Sequence, residues 1–144
     1  MLHLIKSNSD QFFDLLTQDP VRPSIPTDFR IGANRDIFVL KNADGSVRAI
    51  TCVSYQTAIP ADEVELFDTQ AEPTVAIFYT IWSYAPGAGR ALIFNAVDYI
   101  KQNMPSIARF ITLSPPTEIA RRFHTKNGAV VFRTNTQTVN YEYV

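Results

Sequence analysis

A glycine loop, Pro86-Gly87-Ala88-Gly89-Arg90, stands between an apolar run and the start of a helical pattern. Glycine lets a ligand approach the backbone closely, because no side chain intervenes. The backbone amides of such a loop, with a helix N-terminus behind them, can bind phosphate or pyrophosphate. Arg90 adds a charge that could pair with the same group. The loop therefore predicts a site for a phosphorylated ligand.

The same loop also fits a plain turn between a strand and a helix, and without further context that interpretation is favoured. A dinucleotide site would require the spacing Gly-x-Gly-x-x-Gly. Leu92 occupies the third glycine position, which excludes a nicotinamide site. The choice between a turn and a phosphate site therefore depends on the surrounding elements.

The elements beside and after the loop are strongly patterned. Thr74 to Trp82 is an unbroken β-branched and aromatic run, typical of a strand buried on both faces. Apolar residues at helical spacing then predict a helix over 88–103, and Ile107 to Leu113 predicts another strand. Thr117 to Lys126 predicts an amphipathic helix that Asn127-Gly128 caps, and strands over 129–134 and 138–144 follow.

The first half of the chain predicts strands more than helices. Leu2 to Ile5 predicts a short strand, and Asn8 is a capping-box candidate for a helix that Pro20 ends. Residues 19–35 form a proline-rich loop that is either a substrate lid or a wrap over the core. Asp44-Gly45 predicts a turn between strands at 36–42 and 47–55, and 59–73 is irregular and acidic.

Length and composition predict one α/β (α+β) domain over residues 1–144. Hydrophobic residues make up 46% of the chain, enough for a core, and the formal net charge of −1 gives no indication of a nucleic-acid partner. The one cysteine, Cys52, cannot form an intramolecular disulfide and has the pattern of a buried hydrophobe. We found neither a signal peptide nor a membrane span, so we expect a cytoplasmic protein.

Tyr84 to Leu92 resembles the acyl-CoA loop of the GNAT acetyltransferase superfamily, whose pattern is Gln/Arg-x-x-Gly-x-Gly/Ala. Tyr84 stands in place of the usual Gln or Arg. The resemblance implies a GNAT-like acyl-CoA N-acyltransferase fold, with a central mixed twisted sheet flanked by helices. It implies that Tyr84, Gly87, Ala88, Gly89 and Arg90 bind CoA, and that the sheet splays beside this loop.

Three further motifs resemble malonyl-CoA decarboxylases, one branch of that superfamily. They are Thr112-Leu113-Ser114-Pro115, Phe123-His124-Thr125-Lys126-Asn127-Gly128-Ala129 and Val139-Asn140-Tyr141-Glu142-Tyr143. The similarity covers about residues 74–144. The helical domain that precedes this part in the family has no counterpart in the sequence. The segment between Phe132 and Val139 is shorter than in the family.

The resemblance implies decarboxylation of malonyl-CoA, or of a related malonyl thioester, to acetyl-CoA and CO2 in fatty acid metabolism. Ser114 and His124 are then the catalytic pair: Ser114 holds the carboxylate, and His124 titrates near neutral pH and supplies a proton. Tyr141 is a candidate for orienting His124. No metal and no cofactor beyond the CoA moiety of the substrate is expected, and a homo-oligomer is compatible with the sequence.

Simpler interpretations of the two catalytic candidates stay open from the residues alone. Ser114 could cap the following helix, and His124 could be a half-exposed helix residue. Two other functions also stay open. One is acyl transfer from acyl-CoA to an amine with His124 as acid or base, and the other is a non-catalytic CoA-binding or regulatory module.

Overall fold

A mixed sheet of seven strands forms the centre of the structure, which is a computed structural model that describes residues 1–68 and 71–144. The strands are β1 Leu2–Ile5, β2 Arg35–Lys41, β3 Val47–Gln56, β4 Val75–Ser83, β5 Arg109–Thr112, β6 Val130–Thr134 and β7 Val139–Tyr143. Their order in the sheet is β1-β2-β3-β4-β5-β7-β6. The β4–β5 pair is parallel, and every other neighbouring pair is antiparallel. The predicted mixed sheet is therefore confirmed.

In the part of the chain that the structure describes, two α-helices accompany the sheet, α1 Ala88–Asn103 and α2 Glu118–Lys126. Helix α1 packs its apolar side on one face of the sheet, as its helical spacing predicts. N-terminal segments cover the other face with short 3-10 helices at Phe13–Gln18, Thr27–Arg30 and Glu63–Phe67. Within residues 1–68 and 71–144, no helix has the length and apolar character to cross a membrane.

The prediction of a capped helix before Pro20 is wrong. The chain there forms a six-residue 3-10 helix, Phe13–Gln18, with no side-chain N-cap, so Asn8 has no capping role. The Asp10 carboxylate accepts the Phe12 N–H at 2.8 Å and ties this segment into a tight turn. Asp19 accepts the Val21 N–H at 2.7 Å at the other end. These local side-chain bonds compete with an α-helix and limit it to a short turn.

The proline-rich segment wraps over the core. Arg30, only 1% exposed, donates to the carboxylate of Asp19 at 2.7 Å beneath the sheet. A buried ion pair of this kind fixes the path of the chain between its two members. Residues 69 and 70, within the segment predicted to be irregular, lie outside the described residues, and the rest of that segment contains the short helix Glu63–Phe67.

Strands β4 and β5 diverge beside the glycine loop. They pair from Val75 opposite Arg109 to Phe78 opposite Thr112, and β4 then continues to Ser83 alongside β3. The register of β3 against β4 shifts where β4 contributes one extra residue, Tyr79, a β-bulge. The predicted splay is confirmed, and α1 begins just after β4 ends, next to this gap.

Candidate active site

A cavity of about 500 Å³ fills the gap between β4 and β5. Strand β4 lines it from Phe78 to Ser83, and the chain after β5 lines it from Leu113 to Pro115. Helix α2 closes one side, and Pro20 and Val21 of the proline-rich segment line the cavity as well. Ser114 and His124, ten positions apart in the sequence, both line this one space.

Ser114 follows β5 and is held in place by backbone and side-chain bonds. It exchanges two backbone hydrogen bonds with Val139, each of 2.9 Å. Its hydroxyl donates to Thr112 Oγ1 at 2.7 Å, and Thr112 Oγ1 also accepts the Tyr141 N–H at 3.0 Å. The N-cap of α2 is Thr117, so the interpretation of Ser114 as a helix cap is wrong.

His124 lies on the inner side of α2 and is 5% exposed, so the half-exposed interpretation is wrong as well. Burial disfavours the charged imidazolium and lowers the pKa of His124 from 6.5 to about 4. The ring is therefore neutral at pH 7. The expectation that His124 titrates near neutral pH is corrected, because the sequence does not show how deeply α2 buries this position.

Two tyrosines of β7 hold the imidazole. Tyr141 stacks on the ring, with centroids 5.1 Å apart and planes at 28°. The Tyr143 hydroxyl lies 2.6 Å from His124 Nδ1. Burial raises the pKa of Tyr143, so its hydroxyl keeps its proton at neutral pH. Tyr143 was missed from the sequence, although residues at i and i+2 of a strand share one face and could have pointed to it.

A second cavity, of about 480 Å³, lies beside the glycine loop. Gly87 begins α1 in the left-handed region, with φ of +75°, which favours glycine. The first i to i−4 bond of the helix runs from the Ala91 N–H to the Gly87 carbonyl at 3.2 Å. Across the described residues, the amides of Gly89 and Arg90 donate to no backbone acceptor. These amides are the donors that an anion at a helix N-terminus uses.

The predicted CoA-binding residues gather at this second cavity with one exception. Tyr84, Gly87, Gly89 and Arg90 line it, together with Lys126 from α2. The exception is Ala88, whose side chain is buried in the core and whose N–H donates to the Ala85 carbonyl at 3.2 Å.

Arg90 and Tyr84 are both engaged by neighbouring side chains at the rim of this cavity. Arg90 donates to Asn127 Oδ1 at 3.3 Å and lies over the Phe94 ring, 4.9 Å from its centroid. The Tyr84 hydroxyl donates to Gln18 Oε1 at 2.5 Å.

The two cavities adjoin. Ser83, Gly89 and Phe123 line both of them. A Cβ atom on Gly89 would lie 3.0 Å from the Phe123 ring, so glycine permits the close approach of α1 and α2. One extended ligand could therefore place a phosphate at the glycine loop and its other end near Ser114 and His124.

The charges of the two cavities differ. Arg90 and Lys126 line the cavity at the loop, whereas the described residues that line the gap between β4 and β5 include no Lys, Arg, Asp or Glu. Within residues 1–68 and 71–144, no group of three His, Cys, Asp or Glu side chains could hold a metal ion.

Solved structures with a similar fold include malonyl-CoA decarboxylases. The one from Rhodopseudomonas palustris superposes with a TM-score of 0.78 at 18% identity, over 100% of this chain and 59% of its own. The one from Agrobacterium vitis gives 0.72 at 21% identity, over 94% of this chain and 38% of its own. The GNAT domain of S. lividans PAT gives 0.67 at 12% identity, over 99% of this chain and 88% of its own.

These likenesses show the fold: the chain has the GNAT fold, as its sequence predicts. It spans between 38% and 59% of the length of the two malonyl-CoA decarboxylase chains. No protein-family model matches the sequence, and no curated protein matches it.

Proposed function

We propose that this chain binds acyl-CoA and decarboxylates malonyl-CoA, or a related malonyl thioester, to acetyl-CoA and CO2. The observation that carries the proposal is the meeting of Ser114 and His124 in a cavity that adjoins the glycine loop and that, among the described residues, no charged side chain lines. The resemblance of the motifs around these two residues to malonyl-CoA decarboxylases supports the same reaction.

The glycine loop would bind the pyrophosphate of CoA. The free amides of Gly89 and Arg90 supply hydrogen bonds, and Arg90 and Lys126 supply positive charge. The pantetheine arm would then pass over Gly89 into the gap between β4 and β5. The acyl end would lie beside Ser114 and His124, and the only cofactor chemistry required is that of the CoA thioester itself.

The uncharged cavity would favour loss of the carboxylate. A cation close to the malonyl carboxylate would stabilise the ground state, whereas an apolar wall leaves the charge free to move as the carbon–carbon bond breaks. The Ser114 hydroxyl, once it rotates away from Thr112 Oγ1, can donate to the carboxylate and orient it out of the plane of the thioester. The bonding electrons then move onto the thioester oxygen as CO2 leaves, and protonation of the resulting enolate carbon gives acetyl-CoA.

A neutral His124 suits this reaction as a hydrogen-bond donor. With the Tyr143 hydroxyl donating to Nδ1, the ring carries its proton on Nε2, and Nε2–H can donate a hydrogen bond to the developing enolate oxygen. The proton that completes acetyl-CoA then comes from water, because a ring whose pKa is about 4 is not protonated to imidazolium at pH 7.

A second candidate function is transfer of the acyl group from acyl-CoA to an amine. The unprotonated His124 favours it, since a neutral imidazole can accept the proton of an attacking amine. The low pKa makes the ring a weak base, however, and no Asp or Glu lines the cavity among the described residues to replace it. Decarboxylation needs no base, so it fits this cavity better.

One experiment separates the candidates. The protein is incubated with malonyl-CoA, and separately with acetyl-CoA and a set of amines, and the products are followed by mass. We expect acetyl-CoA and CO2 from malonyl-CoA. An acylated amine with free CoA would instead establish a transferase, and binding without either product would establish a CoA-binding module.

Variants of the pair locate the chemistry. Ser114→Ala removes one donor to the reacting group, and we expect kcat to fall by about 10²–10³-fold. For His124→Ala, which removes the Nε2–H donor, we expect a loss of about 10²–10³-fold. The double variant should lose much less than the product of the two, because both residues act on one substrate. His3→Gln, at a histidine paired with Asp10 away from the cavity, is the control and should keep full activity.

A further inference from the structure

Arg22 occupies the place where the ladder between β4 and β5 stops. The last bond across the pair runs from the Leu113 N–H to the Phe78 carbonyl at 3.0 Å. The next carbonyl on each side, Tyr79 on β4 and Leu113 after β5, accepts from the same guanidinium. Nε of Arg22 donates to Tyr79 O at 3.2 Å, and Nη2 donates to Leu113 O at 2.8 Å.

The backbone of Arg22 is anchored as well. Its N–H donates to Asp19 Oδ1 at 3.0 Å, and its carbonyl accepts from the buried Arg30 at 2.9 Å. Glu63 Oε2 lies 3.6 Å from Nη1. The Arg22 side chain is 11% exposed. An arginine so enclosed has a fixed geometry, unlike a surface arginine that forms one ion pair in water.

We propose that Arg22 is a positioning residue of the cavity between β4 and β5. Its guanidinium supplies hydrogen bonds where backbone pairing between the two strands has ended, and it thereby fixes the peptide that carries Ser114 relative to β4. One acceptor, Leu113 O, belongs to the residue directly before Ser114. The other, Tyr79 O, belongs to the bulge that lines the same cavity. Arg22 is not among the described residues that line this cavity; it ties the two walls of the gap together through these two carbonyls, and its neighbours Pro20 and Val21 line the cavity.

The geometry sets what each replacement should do. Methionine keeps much of the apolar stem and removes every donor. Lysine keeps the charge, but its ammonium is a single point on a flexible stem and does not present the planar fork that serves two carbonyls at once. Arg35→Met is a matched control, because Arg35 also donates to two backbone carbonyls, those of Phe29 and Phe67 in the short 3-10 helices, and does so away from the gap.

The first measurement is amide hydrogen exchange, which requires no activity. Arg22→Met should speed exchange at Leu113 and Ser114, whose N–H groups bond to Phe78 and Val139, relative to the rest of the sheet. Arg35→Met should leave these two amides as they are in the native protein. Equal protection of both amides in native protein and Arg22→Met would overturn the proposal. If Arg22→Met does not fold, Arg22→Lys serves for the same measurement.

The second measurement is kinetic, and it rests on the proposed decarboxylation. A catalytic group displaced by about 1 Å can cost about 10²-fold in rate, so we expect a loss of this size in kcat for Arg22→Met with little change in KM. Arg22→Lys should fall between Arg22→Met and native protein, and folded Arg35→Met should keep the native kcat. A rise in KM with no change in kcat would overturn the positioning role. Native protein without decarboxylase activity would refute the proposed reaction, while the exchange result still decides the place of Arg22.

Discussion

The two adjoining cavities of this chain are nearly equal in volume and opposite in chemistry. The cavity at the glycine loop offers unpaired amides with Arg90 and Lys126, all suited to an anion. The cavity between β4 and β5 offers hydroxyls and a neutral imidazole, and no charged side chain lines it among the described residues. The contrast indicates that the two cavities have different roles. The cavity at the glycine loop would bind a negatively charged group, and the cavity between β4 and β5 would favour the loss of a carboxylate.

The largest expected effect is on the pH dependence of stability, and it tests whether burial beside the cavity between β4 and β5 keeps His124 neutral. Because the folded pKa of about 4 lies below the usual 6.5, the unfolded chain binds more protons between these values. Stability is then fully present above pH 6.5 and falls as the pH drops toward 4, by on the order of 3 kcal/mol. Urea unfolding across this range should show the slope in native protein and a flatter profile in His124→Gln.

His3→Gln is the control for that titration, because it leaves His124 in place and should keep the part of the slope that His124 contributes. An unchanged slope in His124→Gln would show that the ring is not held neutral by burial. The distinction between the two cavities would then lose its electrostatic basis.

The next effect concerns ligand binding in the cavity at the glycine loop. CoA at about 100 times its dissociation constant should stabilise the native protein by about 2.7 kcal/mol and raise Tm accordingly. Gly87→Val should abolish this rise, because the new side chain occupies the space open to the ligand at φ of +75°. Gly45→Val is a matched control, since Gly45 also has a positive φ, of +90°, and open space around it, but lies in the β2–β3 turn.

Both glycine variants should lose comparable stability from backbone strain, so their difference isolates the ligand. A full CoA-induced rise in folded Gly87→Val would show that the loop is only a turn. The anion-binding role of this cavity would then have to be abandoned.

A smaller effect is expected from adding charge to the uncharged cavity. Ile119 lines that cavity and is 83% exposed, so Ile119→Lys should cost little stability. Opposite charges about 4 Å apart attract by about 1–4 kcal/mol between bulk water and a protein surface. We therefore expect malonyl-CoA to bind about tenfold more tightly and kcat to fall, with Ile119→Gln as the neutral control. A rise in kcat would contradict the idea that an uncharged wall favours decarboxylation.

The smallest effect concerns the cations of the loop cavity. Arg90→Ala and Lys126→Ala should each weaken CoA binding by a few-fold, because exposed ion pairs contribute about 0.2–1 kcal/mol. The loss should shrink as salt rises, which titration of CoA at several ionic strengths would show. Lys101→Ala, near the other end of α1, should leave the affinity unchanged. An equal loss in all three variants would indicate a general charge effect rather than a local site.

Much of the fold was predictable because its central elements satisfy one simple rule each. The run now seen as Val75–Ser83 has no polar face, so it had to be a strand buried on both sides. Gly128, with φ of +99°, ends α2 where Asn127-Gly128 predicted a cap. The segment at Phe13–Gln18 could not be predicted in the same way, because the carboxylates of Asp10 and Asp19 decide its turns and an apolar pattern does not report them.

The site was predictable only in part. The motifs around Ser114 and His124 named two residues that the structure brings into one cavity, and their catalytic roles stay predictions. Arg22 could not be predicted, because it contacts Leu113 at a separation of 91 residues, and such a contact depends on the three-dimensional fold and leaves no local pattern. Tyr143, which contacts His124, did have a local signal, since it lies two residues after Tyr141 on the same strand face.

The contact between Gly89 and Phe123 has a consequence for engineering. Gly89 and Phe123 line both cavities, so a ligand that spans the cavities would pass beside this contact. A methyl group on Gly89 would press on the Phe123 ring, and a smaller residue at position 123 would leave space beside the ligand. The pair is therefore a place at which the chain could be altered to accept a synthetic CoA analogue with a larger group on its arm.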